Sequence, residues 1–139
     1  MEITLEITGL SRAGSGLGRD PTGRVIFVPF TCPGDQVKVR IVSEEKRYAH
    51  AELVELLKPS PDRAEPPCPV FGRCGGCEWQ HLPYRLQWDT KKSGVLHALD
   101  RVGIKADSLA LEELPADQIW EYRNRIQLRG FRENVGFYA

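Results

Sequence analysis

The residues best placed to do chemistry are three cysteines inside one decapeptide, Cys68-Pro-Val-Phe-Gly-Arg-Cys74-Gly-Gly-Cys77. A C-x5-C-x2-C run is a metal-ligand spacing, because thiolates two residues apart can reach one ion or one cluster iron if the backbone between them turns tightly. Gly75 and Gly76 are expected to permit that turn through positive φ. Pro66, Pro67 and Pro69 stiffen the entry, so little chain entropy remains to be lost on binding. The other readings are a reduced structural thiol cluster or a pair of disulfides, since the chain carries four cysteines in 139 residues. No signal peptide precedes Met-Glu-Ile-Thr-Leu-Glu-Ile, so a cytoplasmic, reducing compartment is expected, where this spacing favours metal. His81 follows at x3 and would complete three thiolates and one imidazole, enough for tetrahedral zinc.

The elements that must position this loop are mostly strands. Ile3, Leu5 and Ile7 alternate with Glu2, Thr4 and Glu6, and a strand is expected over residues 2–8. Gly9, Gly14, Gly16 and Gly18 read as a flexible loop, and Asp20-Pro-Thr-Gly23 as a turn into a strand from Arg24 to Pro29. After Pro33-Gly34-Asp35, Val37, Val39 and Ile41 alternate with Lys38, Arg40 and Val42, and a further strand runs from about Tyr48 to Leu57. Short strands joined by glycine turns imply an oligonucleotide-binding-like barrel over residues 1–58. Gly14-Ser-Gly-Leu-Gly18 lies between strands and opens no helix, which argues against a dinucleotide loop. The fold class is therefore α+β and mainly β.

Lys58-Pro-Ser-Pro-Asp-Arg-Ala-Glu-Pro-Pro67 continues neither helix nor sheet, so residues 59–82 form a connector that carries the cysteine loop. Tyr84, Trp88, Val95, Leu99 and Val102 recur at helical steps, predicting a packing helix over about 83–102 that begins at Pro83, with a linker to residue 118. Tyr122 to Arg129 alternate as a strand with Arg123 and Arg125 on its basic face. A hairpin turning at Asn134 would return through Val135 to Ala139, as the start of an incomplete β-rich domain over 119–139. Charge balances at 19 Lys+Arg against 19 Asp+Glu, so nucleic-acid affinity must come from patches. The longest apolar run, Val25 to Phe30, is far too short to cross a bilayer, and no membrane partner is expected.

In order and spacing the chain resembles the bacterial 23S rRNA (uracil-5-)-methyltransferases and their transfer-RNA relatives. The segments concerned are Gly14-Ser-Gly16, Val25-Ile-Phe-Val-Pro29, Pro33-Gly34-Asp35, Pro59-Ser-Pro-Asp-Arg63, Phe71-Gly-Arg-Cys-Gly-Gly-Cys77, Gln80-His81-Leu82-Pro-Tyr84 and Trp120-Glu-Tyr-Arg-Asn-Arg125. The resemblance implies a TRAM-like barrel that contacts RNA, with 23S rRNA as the favoured partner, and a monomer is expected. It makes Cys68, Cys74 and Cys77 three ligands of a 4Fe-4S cluster, the fourth lying beyond Ala139. Cys32 is the alternative ligand, although its place reads more simply as a small buried thiol. The resemblance also gives His81 a packing role rather than a ligand role. Zinc remains the alternative metal, and a stand-alone metal-bearing RNA adaptor the alternative function.

The family's chemistry implies thiolate attack on C6 of uracil, methyl transfer from S-adenosylmethionine to C5, and proton removal by a base. Its catalytic residues and cofactor site are expected in a separate Rossmann-like domain, with none in these 139 residues. Candidate RNA contacts are Arg12, Arg24, Lys38, Arg40, Lys46, Arg47, Arg123 and Arg125, with Phe30 or Tyr48 as stacking platforms. A ferredoxin-like carrier is disfavoured because only three cysteines are grouped.

Overall fold

Alternating burial along the first 58 residues curls six strands into a partly closed barrel: β1 (Glu2–Glu6), β2 (Gly9–Leu10), β3 (Gly16–Arg19), β4 (Val25–Val28), β5 (Gln36–Glu44) and β6 (Tyr48–Lys58). The computed structural model describes residues 1–137, and of Phe131 the backbone alone. Strand order is β1-β5-β6-β4-β3-β2, with every neighbouring pair antiparallel except β4 and β6, which run parallel. Leu5, Ile7, Ile26, Val28, Val37, Val39, Ala49 and Ala51 point inward as one core. Each large side chain among them contributes about 2 kcal/mol through burial.

The glycine segment is not the loop expected of it, for it supplies β2 and β3. Its glycines serve close approach rather than flexibility. A Cβ on Gly16 would sit 2.0 Å from Thr31 Oγ1, and one on Gly18 would sit 2.4 Å from Leu5 Cδ1 and 2.9 Å from the Glu6 carbonyl oxygen. Bare backbone lets β3 press against the end of β1 and so close the barrel.

Residues after the barrel are tied to it by a buried carboxylate. Asp35 is fully buried. Its Oδ2 accepts hydrogen bonds from the Cys32 backbone N–H at 2.7 Å and from Arg63 Nη1 at 2.6 Å, while Oδ1 accepts from the Ser60 N–H at 2.8 Å. Arg63 Nη2 also donates to the Phe30 carbonyl at 3.0 Å. Farther on, the Ala64 N–H donates to the His81 carbonyl, and His81 Nε2 lies 3.1 Å from the Thr31 carbonyl oxygen. The connector is therefore irregular in conformation yet held at both ends.

Helix α1 (Tyr84–Arg101) starts immediately after Pro83, as its sequence predicts. It differs from the expected packing helix in having no buried residue; Val95 and Val102 are exposed. Its outer side is laced instead to the following segment, by Trp88 Nε1 and Lys92 on the Glu113 carboxylate and by the Ala116 N–H on the Tyr84 hydroxyl. The expected strand from Tyr122 to Arg129 is largely absent. Among the described residues of this stretch, pairing is confined to β7 (Arg129–Phe131) and β8 (Asn134–Gly136), turning through Arg132 and Glu133, with Asn134 opening the return strand. Alternation alone does not make a strand when no third strand covers a face, and Tyr122 to Leu128 are exposed throughout. The expected return through Tyr138 and Ala139 lies outside the described residues.

Removing Arg63 would strand a buried carboxylate. Arg63→Met is expected to lower the unfolding free energy in urea titration by about 3 kcal/mol, and adding Asp35→Asn to recover part of that loss; a double variant no more stable than Arg63→Met would exclude charge burial as the cause.

Burial pushes the His81 imidazole down to about 4 from its ordinary 6.5. The unfolded chain therefore takes up the proton first, so this contribution is complete above about pH 6.5 and is lost as pH falls toward 4. Between pH 7 and pH 5 the wild type is expected to lose about 2 kcal/mol more than His81→Gln, measured by denaturant titration at each pH. Equal losses would show that His81 does not control acid stability.

Candidate functional site

The cysteine loop hangs on the barrel by an aromatic contact. Phe71 packs against Phe30 and His81, with ring centroids 5.4 and 5.5 Å apart, and Phe30 itself adopts a positive φ of 61° to reach it. Phe30 is half-buried in this cluster rather than presented as a stacking platform. Within the loop, the Cys68 N–H donates to Gln80 Oε1 at 3.3 Å, and the N–H groups of Arg73 and Cys74 both donate to the Val70 carbonyl. Gly72, rather than Gly75 or Gly76, takes the positive φ, at 81°. Gly76 instead makes room for an aromatic ring, since a Cβ there would meet the Phe137 ring at 2.9 Å. Its N–H donates to Cys74 Sγ at 3.4 Å.

Cys68, Cys74 and Cys77 are all free thiols, and Cys77 is exposed. Their number and softness suit iron or zinc with one ligand still to be supplied. In this conformation no three His, Cys, Asp or Glu among the described residues stand together as a metal-holding set. His81 joins no such set: its ring is wholly buried, Nε2 lies on the Thr31 carbonyl, and Nδ1 has no hydrogen-bond partner among the described residues. Cys32 is fully buried, its backbone N–H on Asp35, and burial raises its thiol pKa above the usual range. It is a core thiol.

Trp79, two residues past Cys77, fastens the loop to the barrel a second time. Its indole lies against Gly14, where a Cβ would fall 1.9 Å from Nε1 and where φ is +89°. Trp79 Nε1 donates to the Ala13 carbonyl at 3.3 Å, and Lys91 Nζ lies 5.3 Å from the ring centroid. Only glycine serves at position 14.

The candidate cations divide into two groups. Arg24 is held by Asp20 and Glu44, Lys38 by Glu2, and Arg40 by Glu2 and Glu52. The Glu2 carboxyl is correspondingly held below its ordinary pKa, chiefly by its hydrogen bond from Lys38. Lys46 and Arg47, in the turn between β5 and β6, are exposed and make no ion pair among the described residues, and the same holds for Arg12 and Arg125. Arg123 lies over the Tyr122 ring at 5.9 Å.

Beside that turn is an aromatic surface only partly visible in the sequence. β4 and β6 pair in the register Val25↔Tyr48 and Phe27↔His50, so Phe27, Tyr48 and His50 emerge together on the outer face. Phe27 stacks on His50 at 5.2 Å, and Tyr48 meets both rings edge-on at 5.8 and 5.5 Å. Tyr48 is 40% exposed. Of the three rings only Tyr48 was expected at the surface; Phe27 lies in an unbroken apolar run, and the parallel pairing that unites them has no local signal.

Residues 1–54 match the TRAM domain model. The chain is 44% identical over 139 residues to an uncharacterised RNA methyltransferase of Protochlamydia amoebophila, an alignment covering 99% of this chain and 31% of that protein. It is 35% identical over 127 residues to the 23S rRNA (uracil(1939)-C(5))-methyltransferase RlmD of Shewanella amazonensis, covering 91% and 27%. The crystal structure of Pyrococcus abyssi tRNA (uracil-54, C5)-methyltransferase with S-adenosyl-L-homocysteine superposes with a TM-score of 0.61 at 29% identity, over 96% of this chain and 28% of that one. The chain thus spans less than a third of the length of these relatives. Residues 1–54 therefore form a TRAM domain, and with the connector motifs that lock onto it and likeness running through the helix, the chain is similar to the N-terminal region of the RNA (uracil-5-)-methyltransferases.

Proposed function

We propose that these 139 residues are the RNA-recognition and cluster-bearing portion of an S-adenosylmethionine-dependent enzyme that methylates C5 of a uridine, with 23S rRNA as the favoured substrate. The observation that carries the recognition role is the outward Phe27–Tyr48–His50 cluster beside the unpaired Lys46 and Arg47. Aromatic rings give unstacked bases a sequence-tolerant platform, and neighbouring cations hold the backbone. Arg24, Lys38 and Arg40 serve the barrel first, because their charges are already met by carboxylates. Methyl transfer is assigned to parts of the enzyme outside this region, and the divisions at 58, 82 and 118 are kept as its working boundaries.

Cys68, Cys74 and Cys77 are the residues that would hold a 4Fe-4S cluster, with the Gly76 N–H supporting the Cys74 sulfur. Such a cluster would supply folding energy, keeping the loop, Phe71 and Trp79 in register with the barrel. The chain's own residues set that register: Gln80 fixes the entry at Cys68, and Trp79 fixes the exit on Gly14.

Fluorescence anisotropy with a labelled uridine-rich single strand tests recognition. Tyr48→Ala is expected to weaken binding about tenfold and Arg47→Ala by severalfold, with Arg40→Ala close to wild type. Retention of full affinity by Tyr48→Ala would remove the platform. Iron, sulfide and zinc analysis of anaerobically purified protein tests the cluster. Cys74→Ser is expected to lower metal content, thermal stability and RNA affinity together, and its normal folding and binding would sink the structural-cluster reading.

A further inference from the structure

Helix α1 lies beside the barrel without packing into it, and the side it turns toward the barrel is the wrong chemistry for a core. Thr90, Ser93, Gly94 and His97, with Leu86, line that side at helical three- and four-residue steps, while Val95 is exposed. Across from them stand Gly9 and Leu10 of the edge strand β2, Arg12 and Pro33. The result is a groove of about 550 Å³, of a size to take one nucleotide unit.

Two features of this groove have no use in the barrel. Gly94 sits inside a helix, where it costs about 1 kcal/mol relative to alanine. A Cβ there would lie 3.4 Å from Arg12 Cγ and Cδ, so the missing side chain leaves room for the arginine stem to cross the helix. Arg12 makes no ion pair among the described residues, and its guanidinium is free to take an anion. Asp89 also lines the groove, but its carboxylate faces Arg85 at 3.8 Å. Ser93 offers a hydroxyl, His97 an imidazole, and the β2 edge unpaired backbone groups. Leu10, Leu86 and Pro33 offer apolar wall against which a flat base could rest.

We propose that the groove between β2 and α1 is a second contact for single-stranded RNA, in which Arg12 takes a backbone phosphate and the Leu10–Leu86 wall receives the adjoining base. The proposal rests on the RNA-recognition reading above and adds to it a site on a different face from the Tyr48 platform. Duplex RNA does not suit the groove, because its bases are stacked and paired.

The same anisotropy assay on the full chain, with a labelled uridine-rich strand of about a dozen nucleotides, decides it. Gly94→Leu fills the groove floor while improving helix propensity, so circular dichroism and melting temperature should hold or rise. Binding should weaken about fivefold. Arg12→Gln, an exposed change, should weaken binding to a similar degree and reduce the slope of log affinity against log salt by about 0.7. Wild-type affinity in Arg12→Gln and in a folded Gly94→Leu, with Tyr48→Ala still impaired, would overturn the groove and leave the recognition reading intact. Absence of any RNA binding by the wild type would overturn both. Equal weakening on a fully duplex hairpin would overturn the single-strand assignment.

Discussion

The buried Asp35 carboxylate is the constraint on which the rest of the chain depends. A carboxylate removed from water is tolerated only when its lone pairs are met, and here the donors come from Cys32, Ser60 and Arg63. The first belongs to the turn that carries Phe30 and Thr31, and the other two belong to the chain just after β6. One side chain therefore sets the angle at which the connector leaves the barrel. Every later attachment follows from that angle: His81 on Thr31, Phe71 under Phe30, and Trp79 on Gly14.

A neutral chain can still present a cationic surface if its charges are sorted, and the strands perform that sorting. On β5 the outward Lys38 and Arg40 face Glu2 on β1 and, for Arg40, Glu52 on β6, because antiparallel pairing brings these positions side by side. Arg24, just before β4, is met in the same way by Asp20 and by Glu44 at the end of β5. Lys46, Arg47 and Arg12 fall in turns or loops and keep their charge available, and the aromatic cluster lies beside the first two. Lys38, Arg40 and Arg24 hold the barrel together, while Lys46, Arg47 and Arg12 face outward.

Much of this was legible in the chain itself. The two-residue alternation of Ile3-Leu5-Ile7 and Val37-Val39 located the core, Pro33-Gly34-Asp35 and the prolines after Lys58 located the turn and the connector, and Pro83 located the helix start. Failures came where a residue's role is set by something distant. Gly16 and Gly18 looked like flexibility because the side chains they accommodate, Thr31 and Leu5, are far away in sequence. Tyr122 to Leu128 carried the pattern of a strand without a covering partner, and the Arg12 stem that lies across Gly94 comes from a distant part of the chain. The pairing of Asp35 with Arg63 joined two motifs read separately.

The parallel pairing of β4 with β6 also sets a schedule for synthesis. β4 is complete at Val28, but one of its two neighbours is not made until Tyr48 to Lys58, after the whole of β5. During that interval a growing chain presents Val25 to Val28 as an open hydrophobic edge, a template for pairing with other nascent strands. Closure then needs β6, and the carboxylate in the turn after β4 finds its cation only at Arg63. The barrel therefore becomes self-sufficient only after the first residues of its connector have left the ribosome, which makes Pro59 to Arg63 part of its folding unit although they lie outside its sheet.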